Sequence, residues 1–405
     1  MPRKLNILWL KTGPLHPLDT GGKIRTYNML RELKKNHGIT YLSLCPLAID
    51  QSIRDAAEEY SHEQIWISWE ETQKSSARFY LDLAKNFLGR LPYVIAKYSS
   101  AAMATKIREL DGKFDLIICD FLTPSINLFS NGGKLASKTL LFQHNVEAQI
   151  WKRIFENAQG LKRLYFKQQW CRMFAFEKKI CARFDAVVGV SEEDCRVMKK
   201  DYGLSNLLGA APTGVDLSYF SSSTLMTKPR SIVFLGSMDW MPNIDGAIYF
   251  AEEIFSKIRA QFPDVTFSIV GRNPPQRVKQ LERVGVISVS GTVADVRPHL
   301  ADAEVMIVPL RVGGGTRIKI YEGMAAGIPI VSTRIGAEGL PVTSGENILL
   351  ADSPEDFAQA VCELFKQPAL RKTIGSNGRA FVQQHFSWES VTKVFEEFCL
   401  DTAGR

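Results

Sequence analysis

The chain has 405 residues, 45% of them hydrophobic, and its 50 Lys and Arg against 43 Asp and Glu give a formal net charge of +7. This length and composition predict a globular protein of two domains and exclude a disordered or fibrous chain. Seven scattered cysteines without a Cys-x-x-Cys pair exclude a disulfide framework and a zinc site, so a reducing cytoplasm is expected. The first apolar run stops at Lys11, too early for a signal peptide, and no run approaches the roughly 20 residues that span a bilayer.

The first half of the chain is predicted to form a parallel sheet. Apolar runs rich in β-branched residues alternate there with longer helical patterns, which is typical of a sheet covered by helices on both faces. The predicted strands are Leu5–Leu10, Ile39–Leu44, Gln64–Trp69, Phe114–Cys119, Thr139–Asn145 and Ala186–Ser191.

The positive charge is concentrated in this half. Residues 1–212 hold 31 Lys and Arg against 22 Asp and Glu, a net of +9, whereas residues 213–405 hold 19 against 21, a net of −2. The segment Trp151–Phe184 alone has nine cations, two acids and eight aromatic residues. It is either a solvated amphipathic helix pair with an aromatic core face or a surface for an anionic membrane. No nucleic-acid motif accompanies it, so nucleic acid is not an expected partner.

A second set of six strands begins at Ser231. Its members are Ser231–Ser237, Val265–Gly271, Val286–Gly291, Glu304–Leu310, Ile328–Thr333 and Asn347–Asp352. The pattern predicts an α/β protein of two doubly wound, Rossmann-like parallel-sheet domains facing across a cleft, where ligands of such sheets bind. The predicted boundaries are 1–212 for the first domain, 213–230 for a linker and 231–385 for the second domain. A helix over 386–405 is expected to pack back on the N-terminal domain.

Several familiar sites are excluded. No Gly-x-Gly-x-x-Gly follows a strand, and Gly22-Lys23 lacks the other residues of a P-loop. No Asp-x-Asp pair occurs that could clamp a metal onto a nucleotide sugar, so no metal and no cofactor are expected. Glycine loops that follow strands, above all Gly313–Gly315 before Arg317 and Lys319, would instead neutralise a diphosphate through backbone amides and cations.

These segments together resemble a known family. The run of "DTGGKIRTYNMLREL", "LFQHNVEA", "VGVSEED", "TGVDLSYF", "FLGSMDW", "IVGRNPP", "VSGTVADVRPHL" and "GTRIKIYEGMAAGIPIV" is similar to the retaining glycosyltransferases of family four, the group 1 type. The resemblance covers nearly the whole chain and is greatest to bacterial enzymes of exopolysaccharide and lipopolysaccharide synthesis. It implies the GT-B fold and transfer of a sugar from a nucleotide sugar, with 1–212 as the acceptor-binding domain and 231–385 as the nucleotide-sugar-binding domain.

The resemblance also implies a nucleotide-sugar site. Glu322 would bind the ribose hydroxyls, because a carboxylate can accept both diol protons; the alternative is an acid favoured at a helix start by the helix dipole. Arg317 and Lys319 would stabilise the leaving diphosphate. The remaining donor-site residues are Gly21, Gly22, Gly236, Gly271, Arg272, Gly291, Thr292, Val293, Gly313, Gly314, Gly315 and Thr316.

His144 matches the family histidine that contacts the transferred sugar, although a lone histidine is more often structural. The catalytic set that the resemblance implies is therefore His144, Arg317, Lys319 and Glu322. Asp19, Lys23, Arg25 and Asn145 are candidates for the acceptor.

Two departures from the family pattern stand out. Gly314 occupies the position of a second family glutamate, and "GSMDWMPN" replaces an expected Arg and Lys after the first strand of the second domain. Arg317 and Lys319 could supply the missing positive charge.

The expected reaction is front-face attack by an acceptor hydroxyl, with retention of configuration through an oxocarbenium-like transition state. The expected acceptor is a glycan or a lipid-linked saccharide, and the expected location is the cytoplasm, peripherally on the inner membrane. Two alternatives stay open: a nucleotide-sugar epimerase on the same fold, and a catalytically silent binding or scaffold protein.

Overall fold

The structure is a computed structural model that describes residues 3–46, 49–73, 76–130, 132–221, 227–312 and 318–405. The chain divides into two compact units. Unit 1 comprises Met1–Pro212 and Val391–Arg405, and unit 2 comprises Thr213–Ser390. The chain therefore crosses from one unit to the other after Pro212 and returns after Ser390.

The described part of unit 1 is built on seven parallel strands in the order β3-β2-β1-β4-β5-β6-β7. The strands are β1 Asn6–Lys11, β2 Gly38–Cys45, β3 Glu63–Ser68, β4 Leu116–Asp120, β5 Lys138–Phe142, β6 Ala186–Gly189 and β7 Leu207–Ala210. The central strands are almost wholly buried because helices cover both faces, which explains their continuous apolar runs. The prediction of a parallel sheet is confirmed, but the expected count of six strands is wrong because β7 was not predicted.

The helices of unit 1 alternate with these strands. They are α1 Gly21–Lys34, α2 Gln51–Ala57, α3 Ala77–Phe87, α4 Tyr93–Ala96, α5 Ala101–Leu110, α6 Ser125–Leu128, α7 Glu147–Asn157, α8 Gly160–Cys181 and α9 Glu192–Tyr202. Several begin at a side-chain cap, as where Ser191 accepts a hydrogen bond from the backbone N–H of Asp194 at 3.1 Å. The segment Trp151–Phe184 lies mostly on α7 and α8, which pack against each other as a helix pair.

The described part of unit 2 is built on six parallel strands in the order β10-β9-β8-β11-β12-β13. They are β8 Ser231–Leu235, β9 Thr266–Val270, β10 Ile287–Ser290, β11 Val305–Val308, β12 Ile330–Ser332 and β13 Leu349–Leu350. The described helices of this unit are α10 Leu217–Ser221, α11 Met241–Tyr249, α12 Phe255–Gln261, α13 Gln276–Lys279, α14 Arg297–Asp302, α15 Ile318–Ala325, α16 Pro354–Lys366 and α17 Pro368–His385, with a π-helical turn at Phe250–Ile254 between α11 and α12. A last helix, α18 Trp388–Gly404, begins in unit 2 and continues into unit 1. The second predicted sheet is confirmed.

The last helix, α18, contributes its residues from Val391 onward to unit 1. The ring of Phe395 packs 4.7 Å from that of Phe142 and 5.9 Å from that of Trp9, centroid to centroid. Glu396 Oε1 lies 2.8 Å from His37 Nε2 in the same unit. The aromatic contacts fix α18 on the central strands β1 and β5.

Candidate functional site

In unit 1, polar side chains gather at the carboxyl ends of the central strands. Lys11 ends β1, Asp120 ends β4, and His144 follows β5 by two residues. Asp120 Oδ2 accepts hydrogen bonds from Lys11 Nζ at 2.7 Å, Thr26 Oγ1 at 2.6 Å and Trp9 Nε1 at 3.0 Å. His144 Nε2 lies 2.8 Å from the other oxygen, Oδ1, but without the angles of a hydrogen bond to any described residue. The carboxyl edge of a parallel sheet is where ligands bind in such folds.

Burial controls the charge states of this cluster. Burial lowers the pKa of His144 to about 3, although the neighbouring Asp120 carboxylate opposes the effect. Burial alone would raise the pKa of Asp120, but Lys11 and His144 hold it well below its ordinary value. Burial also lowers the pKa of Lys11. At neutral pH the site therefore presents a neutral imidazole beside a carboxylate, and His144 Nδ1 has no hydrogen-bond partner among the described residues.

The ring of Phe121 connects this cluster to the start of α1. Phe121 has a φ of +72° and its ring centroid lies 3.8 Å from that of His144. Lys11 Nζ lies 4.4 Å from the centre of the same ring. A Cβ on Gly22 would approach Phe121 Cζ to 2.9 Å. Any side chain at position 22 would therefore have to displace the Phe121 ring, which lies against His144.

The acceptor candidates fall into two environments. Asp19 Oδ1 and Lys23 Nζ form an exposed ion pair at 3.0 Å, and Asn145 is exposed. Arg25 is instead 7% exposed, and its charge acts on His144 and Lys11. Gly21, the first residue of α1, has open space where a Cβ would stand. The structure thus brings Arg25, and not the other three, among the buried groups.

Glu177 on α8 fixes the chain segment that carries His144. Its fully buried carboxylate accepts from Gln143 Nε2 at 2.5 Å, from the backbone N–H groups of Glu147 at 2.9 Å and Ala148 at 2.8 Å, and from the Tyr202 hydroxyl at 2.7 Å. These bonds cap the start of α7. Burial raises the pKa of Glu177, and burial together with Glu177 raises the pKa of Glu147 to about 7.

In unit 2, Gly236 and Gly271 follow β8 and β9 at a very close approach. A Cβ on Gly271 would lie 1.8 Å from the Gly236 carbonyl oxygen, and one on Gly236 would lie 2.7 Å from the amide of Asn243. The backbone N–H of Met238 also donates to the Arg272 carbonyl at 3.0 Å. The approach of the two strand-end loops thus requires Gly271, whereas Gly236 leaves room for the Asn243 side chain on α11.

The Arg272 side chain is held within these loops. Arg272 Nε donates to Asp239 Oδ2 at 2.9 Å and to Ser237 Oγ at 3.0 Å. Asn273 Nδ2 donates to Asp239 Oδ1 at 3.1 Å. The sequence "GSMDW" therefore supplies a carboxylate that engages Arg272.

On α15, Lys319 and Glu322 lie within one helical turn. Lys319 Nζ donates to Asn243 Oδ1 at 2.6 Å and lies 4.7 Å from the centre of the Phe234 ring. Glu322 is half-buried, and burial raises the pKa of its carboxyl while Lys319 opposes this. Gly291, Thr292 and Val293 follow β10, with open space at the Cβ position of Gly291. Gly313, Gly314, Gly315, Thr316 and Arg317 lie outside the described residues.

Among the described residues, no group of three His, Cys, Asp or Glu side chains is arranged to hold a metal ion. No helix in the described ranges is both long and apolar enough to cross a bilayer.

Sequence reasoning did not identify three residues of this cluster: Lys11, Asp120 and Glu177. Lys11 and Asp120 each stand directly after a predicted strand, and that position was the available signal. Glu177 gave no such signal, because its partners lie about 30 residues away on other elements.

Comparisons with known proteins bear on both units. Residues 229–367 match the family described as "Glycosyl transferases group 1". An uncharacterised 44.6 kDa protein in the cps region of Klebsiella pneumoniae is 22% identical over 72% of this chain and 77% of its own length. The GDP-mannose-dependent monoacylated alpha-(1-6)-phosphatidylinositol monomannoside mannosyltransferase of Corynebacterium glutamicum is 26% identical over 52% of this chain and 61% of its own.

A solved structure extends the likeness to the fold of the whole chain. The Anabaena protein HepE in complex with UDP-glucose aligns with 98% of this chain and 99% of its own, with a TM-score of 0.65 and 14% identity. The match at residues 229–367 confirms the group 1 resemblance found in the sequence motifs, and the solved structure confirms the expected fold. With a group 1 domain at residues 229–367 and two parallel-sheet units of the GT-B fold, the protein is a glycosyltransferase.

Proposed function

We propose that this glycosyltransferase moves a sugar, with retention of configuration, from a nucleotide sugar to a glycan or lipid-linked acceptor in bacterial cell-surface polysaccharide synthesis. The observation that carries the proposal is the position of the polar groups in unit 1, where Lys11, Asp120 and His144 meet at the carboxyl ends of adjacent strands. The likeness to a protein of a cps region supports the polysaccharide pathway.

Unit 2 would bind the donor. Glu322 is half-buried on α15 and can accept hydrogen bonds from a ribose diol. Lys319 lies one turn before it and, with Arg317, would stabilise the diphosphate as it leaves. The related fold of HepE holds UDP-glucose, which supports a nucleotide sugar as the donor class.

Unit 1 would bind the acceptor and the transferred sugar. Because His144 Nε2 lies 2.8 Å from the Asp120 carboxylate, a neutral His144 would carry its proton on Nε2, and its unpartnered Nδ1 could accept a hydrogen bond from a sugar hydroxyl. A neutral imidazole also adds no positive charge beside an oxocarbenium-like transition state. The acceptor hydroxyl would attack on the face that the diphosphate leaves, and the leaving phosphate oxygen would take its proton.

The same unit carries a surface that suits an anionic membrane. Tyr80, Leu81, Phe87 and Leu88 on and after α3 are 45–88% exposed, and Leu164 on α8 is 64% exposed. Arg172 on α8 donates to the Asn86 and Phe87 carbonyls at 2.8 and 2.7 Å, so the two helices are neighbours. The exposed apolar side chains of the α3 segment and the exposed cations of α8 are both features that favour attachment to the cytoplasmic face of the membrane.

The decisive experiment begins with a panel of nucleotide sugars, because a bound donor raises the melting temperature of the full-length protein. The donor so found would then be offered with lipid-linked and free saccharide acceptors, and NMR would give the anomeric configuration of the product. A product of inverted configuration would contradict retention. A new sugar isomer formed from the donor alone would identify an epimerase, and the absence of nucleotide binding would identify a silent scaffold.

A further inference from the structure

Arg25 is a buried arginine that lacks a partner. It lies on α1, one turn after Gly21, and only 7% of it is exposed. Its Nε has no hydrogen-bond partner among the described residues, and no carboxylate of the described ranges lies within ion-pair distance of the guanidinium. Lys11 is equally buried but bonds to Asp120 and Thr26. The two buried cations of this site therefore differ in that only Lys11 is neutralised.

The charged groups around Arg25 are engaged elsewhere. Asp120 Oδ2 already accepts three hydrogen bonds, and its Oδ1 faces His144. Asp194, which also acts on Arg25 through its charge, accepts from the Ser191 hydroxyl at 2.6 Å. Burial lowers the pKa of Arg25 to about 10, against the effect of these two acids, so the guanidinium remains charged at neutral pH.

An unpaired buried charge is among the most unfavourable features that a fold can retain. An anion from outside the protein would offset this cost, because a guanidinium binds a carboxylate or phosphate through two parallel hydrogen bonds.

We propose that Arg25 binds an anionic group, a phosphate or a carboxylate, carried by the acceptor. The inference rests on the proposed function, which assigns unit 1 to the acceptor. Gly22 on the same helix meets the Phe121 ring, whose centroid lies 3.8 Å from that of His144, so the anionic group would bind near the histidine that is proposed to contact the sugar. The acceptor class is thereby narrowed to acidic saccharides and to saccharides attached to a phosphate or diphosphate.

The test uses the full-length protein, its Arg25→Gln and Arg25→Lys variants, and Arg31→Gln as a control on the exposed face of the same helix. Calorimetry would measure binding of inorganic pyrophosphate and of glucuronate, which represent the two sources of the anion. Whichever probe binds the wild type is expected to bind Arg25→Gln about ten- to hundredfold more weakly and Arg31→Gln as before. Without a probe, Arg25→Gln should melt at the wild-type temperature or above it, because an unpaired charge has been removed.

Equal affinity of wild type and Arg25→Gln for both probes would overturn the proposal. If Arg25→Gln does not fold, the Arg25→Lys variant provides the test, because lysine keeps the positive charge but cannot form the two parallel hydrogen bonds of a guanidinium. Undiminished binding of the probe by Arg25→Lys would overturn the proposal, and weakened binding would support it. Nucleoside diphosphate affinity, measured in parallel, should be unchanged in Arg25→Gln, and a loss there would assign Arg25 to the donor instead. Failure of the wild type to bind any nucleotide would contradict the proposed function alone.

Discussion

His144 Nε2 and Asp120 Oδ1 lie 2.8 Å apart, yet the histidine is neutral, because burial lowers its pKa more than the carboxylate raises it. Two side chains that would form an ion pair in water here form a pair of one charged and one neutral group. The electrostatic state of the site is therefore set by its exclusion of water.

The first prediction concerns the pH dependence of stability. Folded His144 has a pKa of about 3, against an ordinary value of 6.5, so the unfolded chain binds the proton more readily between these values. The contribution of neutral His144 to the free energy of unfolding is therefore complete above pH 6.5. It is lost as the pH falls below that value, by at most about 1.4 kcal/mol per pH unit. Melting temperatures at pH 7.5 and 5 should therefore differ less in His144→Gln than in the wild type.

The pH dependence of the melting temperature must be compared between the wild type and His144→Gln, because Glu147 titrates in the same pH range and changes stability in the opposite direction. Its pKa is raised to about 7, so its contribution to stability is lost as the pH rises through 7. Glu147 contributes equally to both proteins and cancels in the difference. His385→Gln, at an exposed position, is the control, and identical pH slopes for wild type and His144→Gln would refute the assignment.

The second prediction concerns the donor. Glu322→Gln or Glu322→Ala should weaken nucleotide-sugar binding by about 1.5–3 kcal/mol, the range for a hydrogen bond to a charged group, without unfolding the protein. Calorimetry with the donor found in the nucleotide-sugar panel would measure the change. Glu282→Gln, exposed in the same unit, should bind as the wild type does. Undiminished donor affinity in folded Glu322→Ala would remove Glu322 from the ribose role.

The third prediction separates the two glycines at the start of α1. Gly22→Ala should lower stability by roughly 1–3 kcal/mol, because its Cβ would meet the Phe121 ring at 2.9 Å. Gly21→Ala meets nothing within 4 Å and should be neutral or slightly stabilising, since alanine favours a helix. Urea unfolding would measure both variants. Phe121→Leu should offset much of the Gly22→Ala loss, and equal effects of the two glycine substitutions would contradict the contact.

The fourth prediction concerns metals. The chain lacks an Asp-x-Asp pair, and cationic side chains such as Lys319 are proposed to neutralise the leaving diphosphate. Transfer activity should therefore survive dialysis against EDTA, measured as product formed from the donor identified above. Complete loss of activity that manganese or magnesium restores would show that a metal performs this task.

The fifth prediction concerns attachment to a membrane. Replacing exposed Lys162, Arg163 and Lys167 with Glu should lower co-sedimentation with anionic liposomes, because each cation near such a surface contributes about 1 kcal/mol. Binding should also fall with salt, which screens the attraction. Donor binding in solution should stay intact.

The control for this experiment changes charge by the same amount elsewhere in unit 1. Exposed Lys113, Lys199 and Lys200, replaced with Glu, should leave liposome binding closer to that of the wild type. Leu164→Ser tests the apolar part of the surface separately. Equal sedimentation with neutral and anionic vesicles, or no sedimentation with either, would contradict the membrane proposal and show that α8 presents only a solvated helix face.

The sheets were predictable because their central strands are buried on both faces and therefore read as continuous apolar runs. Strand β7, with the sequence Leu-Leu-Gly-Ala, escaped prediction: it is four residues long, has no β-branched residue, and contains Gly209 at a φ of +153°. Its place in the sheet depends on pairing with β6, which lies about 20 residues earlier.

The site was predictable where position alone carries the information. His144 and Arg25 were proposed from their motifs and stay predictions as functional residues, whereas Lys11 and Asp120, which lie beside His144 in the fold, were not considered because each predicted strand was ended one residue early. That Arg25 is buried without a partner, while Lys23 two residues before it pairs with Asp19 in solvent, depends on which groups the fold brings beside α1. Such a difference arises from tertiary packing and has no local sequence signal.

The position of α18 has a consequence for how the protein is made. Phe395 completes the aromatic packing around Trp9 and Phe142, but it leaves the ribosome about 250 residues after Phe142. At roughly 5–20 residues per second, the first unit waits some tens of seconds with this part of its core open, while the whole of the second unit is synthesised. During that time the rings of Trp9 and Phe142 lack their Phe395 contacts, so the native core of the first unit is completed only after the second unit has been synthesised.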